Sequence, residues 1–180
     1  GWEQHGPNGT VMVRELVATD PEAYATLWRF LLGIDLARRA EAGYLAVDEP
    51  LQHLVDEPRR LGTQLRDALW LRIVDLPGAL AARRYATPVD VVLDVTDPLL
   101  PANTGRWRLT GGPDRAACTP ATGPADLSCT VLELGAAYLG GPTLAALAAA
   151  GRVRELTPGA LGRASAAFGW HRMPHITEVF

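Results

Sequence analysis

The sequence contains no lysine, very little asparagine and only two cysteines. All 17 basic residues are arginine, and asparagine occurs only at Asn8 and Asn103. This bias is typical of a GC-rich genome, so much of the composition reflects codon usage rather than function. So few cysteines exclude a disulfide-stabilised mini-protein. Cys118 and Cys129 are predicted to be free, partly buried thiols in a reducing cytosol, with a local bridge across a hairpin as the alternative.

A strong net charge is also missing. The net charge of −3 is too small to suggest a nucleic acid or an anionic membrane as a partner. The hydrophobic share of 48% and the charged share of 21% exclude a disordered tail and a collagen-like fibre. A chain of 180 residues is long enough for a real core and predicts one domain or two small ones.

No secretory leader opens the sequence, which begins at Gly1 rather than methionine. We therefore expect a cytoplasmic protein, with Gly1 as an internal point of a longer one. Residues 134–151 carry no charge and reach the lower length limit for a membrane span. Gly140, Gly141 and Pro142 interrupt this run, and proline opens a helix more readily than it continues one. Two short apolar helices packed on a sheet are the better prediction.

Patterns in the first half predict both helices and strands. Residues 11–18 alternate as a strand, and Thr19-Asp20-Pro21 predicts a capped helix start. Arg38 and Arg39 are expected near the end of this helix. Further strands are predicted at 43–47 and, most strongly, at 68–75, with a helical turn at 50–55. The apolar face of the helix is predicted to contain Tyr24, Leu27, Trp28, Leu31, Leu32 and Leu36.

The second half has short runs separated by proline, glycine and asparagine. They predict an antiparallel meander and, with the surrounding helices, an α+β fold whose domain boundary lies near residue 76. The strands are expected at 89–97, 105–111, 115–121 and 125–133. Helices are expected at 79–85, 134–139, 142–150 and 158–168, the last capped at Thr157-Pro158, before an extended tail at 171–180.

Metal and nucleophile motifs are lacking. His171 and His175 are four residues apart, but Pro174 between them argues against the helix that would bring them together on a zinc ion. There is no CxxC and no GxSxG motif, and Ser128 and Ser165 have no recognisable histidine–acid framework. Cys129 is better interpreted as a core residue.

Two arginine-containing segments are candidates for binding. Residues 59–65 resemble the turn with which acyltransferases hold the pyrophosphate of coenzyme A, but Gln64 stands where glycine or alanine is needed. A solvated turn is the better interpretation. Arg106 and Arg108 flank Trp107 and could stack or pair with acids, although a solvent-facing strand side explains them as well.

The chain ends in Phe180, directly after an alternating apolar run. An aromatic last residue can anchor the terminal carboxylate, whose ordinary pKa is about 3.3–3.7. Burial raises the pKa of a carboxylate and so moves it toward a value useful to a general base. A packed tail explains the hydrophobicity equally well.

Four segments in order resemble the C-terminal part of the Eis-type (enhanced intracellular survival) N-acetyltransferases. These segments are 13–35, 65–85, 90–109 and 168–180. The resemblance implies the later part of a second, non-catalytic GNAT-like domain at 1–75, followed by a sterol-carrier-protein-like α+β domain at 76–180. It also implies that acetyl-CoA binds to a first GNAT domain that these residues do not contain, so that the 180 residues alone would be inactive.

In this family the last residue is typically phenylalanine, and its carboxylate acts as general base in the first domain. The resemblance therefore implies that Phe180 accepts the proton of the attacking amine, while a tyrosine of the first domain protonates the leaving thiolate. An acidic neighbour holds the amine in some relatives; here the candidates are Glu178 and Val179, which alternate sides of an extended tail. Family members acetylate aminoglycosides or lysine side chains and assemble as hexamers.

Two other functions compete with an acetyltransferase. The apolar helices at 134–150 could belong to a sterol-carrier-like module that binds a lipid or another apolar ligand. The 180 residues could also serve only in assembly.

Overall fold

The computed structural model describes residues 2–3, 6–67 and 69–176, with side chains from Asn8 onward. These residues form two compact units. Unit 1 takes Gly1–Leu69 and, from the C-terminal segment, His175 and Ile176, whereas unit 2 is Trp70–Pro174. The domains at 1–75 and 76–180 are a division by family and stay a prediction.

The described residues of unit 1 form two small sheets and one α-helix. Strand β1 (Trp2–Glu3) pairs antiparallel with β2 (Gly6–Pro7). Strand β3 (Gly9–Val13) pairs parallel with β4 (Ala37–Ala42), and α1 (Pro21–Leu32) connects them. This is the crossover that a parallel pair requires. Short 3-10 turns follow at Pro50–His53 and Pro58–Leu61.

The predicted start of α1 is confirmed. The Asp20 side chain accepts a hydrogen bond from the amide of Ala23 at 2.8 Å, which lowers the pKa of Asp20. Proline at the next position costs nothing because its missing N–H would lack a helical partner anyway. The predicted apolar face is only partly correct: Trp28 is buried and Tyr24 and Leu31 pack beside it, but Leu27, Leu32 and Leu36 are exposed.

The second strand of unit 1 lies elsewhere than predicted. It covers Ala37–Ala42 rather than 43–47, so Arg38 and Arg39 belong to β4 and not to the end of α1. Tyr44 has a φ of 55°, in the left-handed region, so the extended chain cannot continue through it. Strand β3 likewise ends at Val13 rather than at residue 18.

The strongest predicted strand, 68–75, is wrong over its described residues 69–75, none of which lies in a strand. Alternation alone does not make a strand, because a strand also needs a hydrogen-bonded neighbour. Ile73 is buried, whereas Trp70 is 84% exposed. Arg72 pairs with Asp97, and Asp75 caps the next helix.

Unit 2 is built on a five-stranded sheet with the order β7-β6-β5-β8-β9. Its strands are β5 (Val89–Thr96), β6 (Gly105–Gly111), β7 (Ala116–Pro120), β8 (Leu127–Thr130) and β9 (Arg154–Glu155). The meander of β5, β6 and β7 is confirmed as antiparallel. The predicted meander is wrong for β8, which pairs parallel with β5 and ends at Thr130 because that residue caps a helix.

Four helices pack with this sheet: α2 (Leu76–Ala82), α3 (Val131–Ala137), α4 (Leu144–Ala149) and α5 (Ala160–Phe168). Helix α2 starts before the predicted 79–85 because Asp75 caps it. Helix α4 starts after Thr143, and α5 after Gly159, whose φ of 82° favours glycine, rather than at Thr157-Pro158. The two apolar helices predicted around Gly140-Gly141 are confirmed.

The core of unit 2 lies where the helices meet the sheet. Among the residues described, none of the helices combines the length and apolarity of a membrane span. Fully buried side chains at the centre of this core include Leu76, Leu80, Tyr85, Leu93, Leu109, Leu127, Leu134, Leu144 and Phe168.

Candidate functional site

The segment that follows α5 is the last described part of the chain before the predicted catalytic residue in the sequence. Helix α5 ends at Phe168, where Gly169 adopts extended backbone and its amide donates to the carbonyl oxygen of Ser165. Residues 169–176 contain no helix or strand. The ring of half-exposed Trp170 lies 5.4 Å from that of His171, centroid to centroid. We call residues 169–176 the tail segment.

Within unit 2 the tail segment passes over Gly140 and Gly141. A Cβ on Gly141 would lie 3.2 Å from Cγ of Pro174, and a Cβ on Gly140 would lie 3.6 Å from the Trp170 amide nitrogen. Gly140 also has a φ of 84°, which side-chain-bearing residues rarely adopt. Glycine at these two positions therefore lets the tail segment approach the backbone closely.

Within unit 1 the tail segment is fixed by His175. Its Nε2 lies 2.6 Å from the carbonyl oxygen of Tyr44, and because a carbonyl can only accept, Nε2 carries the proton. Tyr44 is the residue with a φ of 55°. Strained backbone of this kind is found more often at functional positions than elsewhere.

A partly buried carboxylate, that of Glu49, accompanies this contact. The hydroxyl of Tyr24 donates to Glu49, which directly precedes the 3-10 turn Pro50–His53. Burial raises the pKa of Glu49, against smaller lowering effects from the Ala46 amide and from His175.

The predicted catalytic residue Phe180 and the predicted substrate-binding residues Glu178 and Val179 lie outside the described residues. The last two described residues before the chain end, His175 and Ile176, belong to unit 1. Both residues belong to the predicted extended tail, but the sequence carries no signal for the contact of His175 with Tyr44.

The candidate pyrophosphate turn is an exposed 3-10 turn. Pro58–Leu61 ends at Gly62, which has a φ of 59°, and Arg60 pairs with Glu57 at 3.8 Å on the surface. Residues 63–67 contain no helix. Since pyrophosphate binding of this kind uses the N-terminus of a helix, these residues do not fit acetyl-CoA.

Burial, ion pairing or hydrogen bonding explains the remaining candidates, Cys118, Cys129, Arg106 and Arg108, without a catalytic role. Both cysteines are free, and burial raises the pKa of Cys118 to about 11 and that of Cys129 to about 12. Arg108 pairs with Asp90 on the exposed side of β5 and β6, and Arg106 donates to the Gly123 carbonyl oxygen. In the described part of the chain, no three potential ligands lie together as a metal site would require.

Sequence reasoning missed a buried polar network around Asp97. Its carboxylate accepts from Arg72 at 2.6 Å, from Asn103 at 2.9 Å and from the amides of Leu99 and Leu100. Burial alone would raise its pKa, but these hydrogen bonds outweigh burial and bring the pKa to about 2. The signal in the sequence is the acid–proline turn at Asp97-Pro98 with asparagine six residues on.

A second missed group surrounds Glu133. It forms a capping box with Thr130 and pairs with Arg152 at 2.7 Å. Burial raises its pKa, but the hydrogen bonds from Thr130 and Arg152 outweigh that effect and lower it. The spacing Thr130-x-x-Glu133 is the signature of this box and could have predicted it.

The alternative function, binding of an apolar ligand, would need internal space in unit 2. The described side chains between the helices and the sheet form one continuous buried cluster. The apolar helices α3 and α4 contribute to this cluster through Leu134 and Leu144, which are fully buried. These helices therefore fill the interior rather than line a tunnel.

Comparison with known families matches both parts of the chain. Residues 1–73 match an acetyltransferase (GNAT) domain, and residues 76–177 match a sterol carrier protein domain. The chain belongs to the Eis-like N-acetyltransferases. The predicted α+β combination of a GNAT-like part and a sterol-carrier-like part is confirmed at that level.

Several relatives support this assignment. An uncharacterized N-acetyltransferase of Streptomyces avermitilis is 52% identical over 99% of this chain and 44% of its own length. N-acetyltransferase Eis of Mycobacterium bovis is 39% identical over 87% of this chain and 38% of its own length. The crystal structure of Eis1 from Mycobacterium abscessus superposes with a TM-score of 0.79 at 40% identity, over 95% of this chain and 43% of that one. The chain thus spans about two fifths of the length of these relatives.

Proposed function

We propose that this chain supplies the general base of an acetyl-CoA-dependent N-acetyltransferase that acetylates primary amines. The observation that supports it is the fixation of the tail segment shortly before the chain end, with Pro174 against Gly141 and His175 on Tyr44. Phe180 is the fifth residue after His175, which corresponds to at most about 18 Å in an extended chain. An anchor this close restricts where the Phe180 carboxylate can be.

The carboxylate has one chemical task in this proposal. A primary amine is mostly protonated at neutral pH and attacks only after it has lost a proton. The Phe180 carboxylate accepts that proton, and the nitrogen lone pair then attacks the acetyl carbonyl carbon. The amide C–N bond forms as the thioester C–S bond breaks, and the leaving coenzyme A thiolate takes a proton from a tyrosine of the preceding domain. General bases of this kind contribute about 10²–10⁴-fold to rate, most effectively when burial brings their pKa close to the working pH.

Further parts of the proposal come from the family resemblance. Acetyl-CoA binds to a preceding GNAT domain, because the described residues hold no fitting turn. Residues 1–75 are the later part of a second such domain. The amine belongs to an aminoglycoside or a lysine side chain, with Glu178 and Val179 beside it. The full-length protein assembles as a hexamer in the cytoplasm, and the 180 residues alone transfer no acetyl group.

Deletion of Phe180 from the full-length protein tests the base. We expect kcat to fall about 10²–10⁴-fold, while acetyl-CoA binding, measured by calorimetry, stays within twofold. Phe180→Leu is the matched control: it keeps a terminal carboxylate on an apolar side chain and should retain kcat within about tenfold of the unmodified protein. A deletion variant with nearly normal kcat would refute the assignment.

A further inference from the structure

Arg83 closes the ends of two helices at once. It follows α2 directly, and its half-buried guanidinium donates from Nη1 to the carbonyl oxygen of Tyr138 at 2.7 Å and from Nη2 to that of Phe168 at 2.9 Å. Tyr138 caps α3, and Phe168 is the last residue of α5. Carbonyl groups at helix ends lack helical partners, so one side chain satisfies both ends.

Three aromatic rings surround the same guanidinium. Its central carbon lies 4.6 Å from the ring centroid of Phe168, 4.7 Å from that of Tyr85 and 5.7 Å from that of Tyr138. Tyr85 is fixed in turn, because its hydroxyl donates to the Leu80 carbonyl oxygen at 2.8 Å. Arg83 therefore holds both the backbone and the ring of Phe168, the residue from which the tail segment departs.

Gly140, one of the two glycines under the tail segment, lies close to the same Phe168 carbonyl group. A Cβ on Gly140 would lie 3.3 Å from the Phe168 carbonyl oxygen to which Arg83 donates. Gly141 then lies under Pro174. Arg83 fixes the start of the tail segment from one side, and the two glycines define the path that it takes.

We propose that Arg83 is a positioning residue for the C-terminal carboxylate: by holding Phe168 above Gly140 and Gly141, it sets the direction in which the tail segment leaves α5. This inference rests on the proposed function of Phe180. Arg83 touches no reacting atom in this scheme. It acts because a general base contributes little once its position varies by an ångström or more.

Arg83→Lys is the first test. Lysine keeps the charge but lacks the planar fork that reaches two carbonyl groups in fixed geometry. In the 180-residue chain we expect amide hydrogen exchange of Gly169 and Gly140, whose N–H groups donate to the carbonyl oxygens of Ser165 and Ala137, to accelerate at least tenfold, with β5 unchanged. In the full-length protein we expect kcat to fall at least tenfold and KM for acetyl-CoA to stay within twofold. Arg108→Lys, on the exposed face of β6, is the matched control and should change neither.

Gly141→Ala is the second test and leaves Arg83 in place. The added Cβ presses on Pro174 and should produce the same exchange and kcat effects, whereas Gly123→Ala, where a Cβ meets nothing within 4 Å, should not. Unchanged exchange in both Arg83→Lys and Gly141→Ala would overturn the inference, as would a kcat within twofold in both while Phe180 deletion abolishes turnover. If Phe180 deletion leaves turnover intact, the proposed function fails, even where the exchange results show a held tail segment.

Discussion

The two units differ sharply in how much apolar surface they bury. In unit 2 the described residues form a cluster of twenty buried side chains that spans all four helices and the sheet. In unit 1 the corresponding cluster has three, Val13, Trp28 and Leu51. Because burial of apolar surface is the dominant favourable contribution to folding, unit 2 carries most of the stability of the chain.

Unit 1 also exposes apolar groups that a complete core would cover. Phe30 is 67% exposed, and Met12 on β3 is exposed as well. The indole N–H of Trp28 is buried without a hydrogen-bond partner among the described residues. Exposed apolar side chains contribute no burial free energy, and a buried N–H without a partner destabilises the fold. The comparison therefore predicts that unit 1 is only marginally stable, although it holds His175.

The largest effect is expected from Trp28→Ala. Trp28 is the largest side chain buried in unit 1, and removal of a buried tryptophan costs about 3–5 kcal/mol. Amide hydrogen exchange should show loss of protection throughout unit 1, with β5 and β6 still protected. Phe30→Ala, two residues away but exposed, is the control and should leave protection intact. Simultaneous loss of protection in both units would contradict the comparison.

A smaller effect is expected from Leu93→Ala at the centre of unit 2. Leu93 is fully buried, so the substitution should lower the free energy of unfolding by about 2–5 kcal/mol in urea denaturation without unfolding the unit at 25 °C. Leu99→Ala, at an exposed position of the same unit, should change it by about 0.5 kcal/mol or less. Equal effects at the two positions would disprove the assigned core.

Asp97→Asn should have an effect that depends on pH. The pKa of Asp97 is lowered from 3.8 to about 2, so the ionised carboxylate stabilises the fold above pH 4, and this contribution is lost as pH falls through about 2. The difference in Tm between the original chain and Asp97→Asn should therefore be largest above pH 4 and shrink toward pH 2. A difference that is constant from pH 6 to pH 2 would contradict the assigned network.

The smallest effect is expected from Asp90→Asn. Asp90 also pairs with an arginine and has a lowered pKa, but the pair is more than half exposed. Exposed pairs contribute about 0–1 kcal/mol. At pH 7 the Asp90→Asn substitution should lower Tm by less than Asp97→Asn does. A larger decrease for Asp90→Asn would contradict the predicted order of the two effects.

Local signals in the sequence predicted the parts of the fold that depend on local chemistry. The Asp20 cap of α1 and the antiparallel strands β5 and β6 are set by neighbouring residues and turns. The conformation of segment 69–75 and the parallel pairing of β8 depend on which strands lie next to these segments. The pattern of residues within a segment does not contain that information. The hydrogen bonds from Arg83 to the carbonyl oxygens of Ala137, Tyr138 and Phe168 join residues 54 or more positions apart, so only the folded structure could reveal them.

The candidate site was predictable to a different extent. Phe180 was singled out through the family resemblance together with the chemistry of an aromatic chain end. The tail anchors at Gly141 and Tyr44 carry no local signature, because each contact depends on how distant segments fold onto one another. The capping box of Glu133, by contrast, is predictable from the spacing Thr130-x-x-Glu133.

The most direct measurement is the rate of acetyl transfer as a function of pH for full-length protein whose terminal carboxylate has been converted to an amide. The amide keeps the Phe180 ring and almost the same shape but cannot accept a proton. The account predicts that kcat falls at least 100-fold near neutral pH, that the difference shrinks as the pH falls below the pKa of the carboxylate, and that acetyl-CoA binding is unchanged. A rate and pH profile equal to those of the unmodified protein would contradict it.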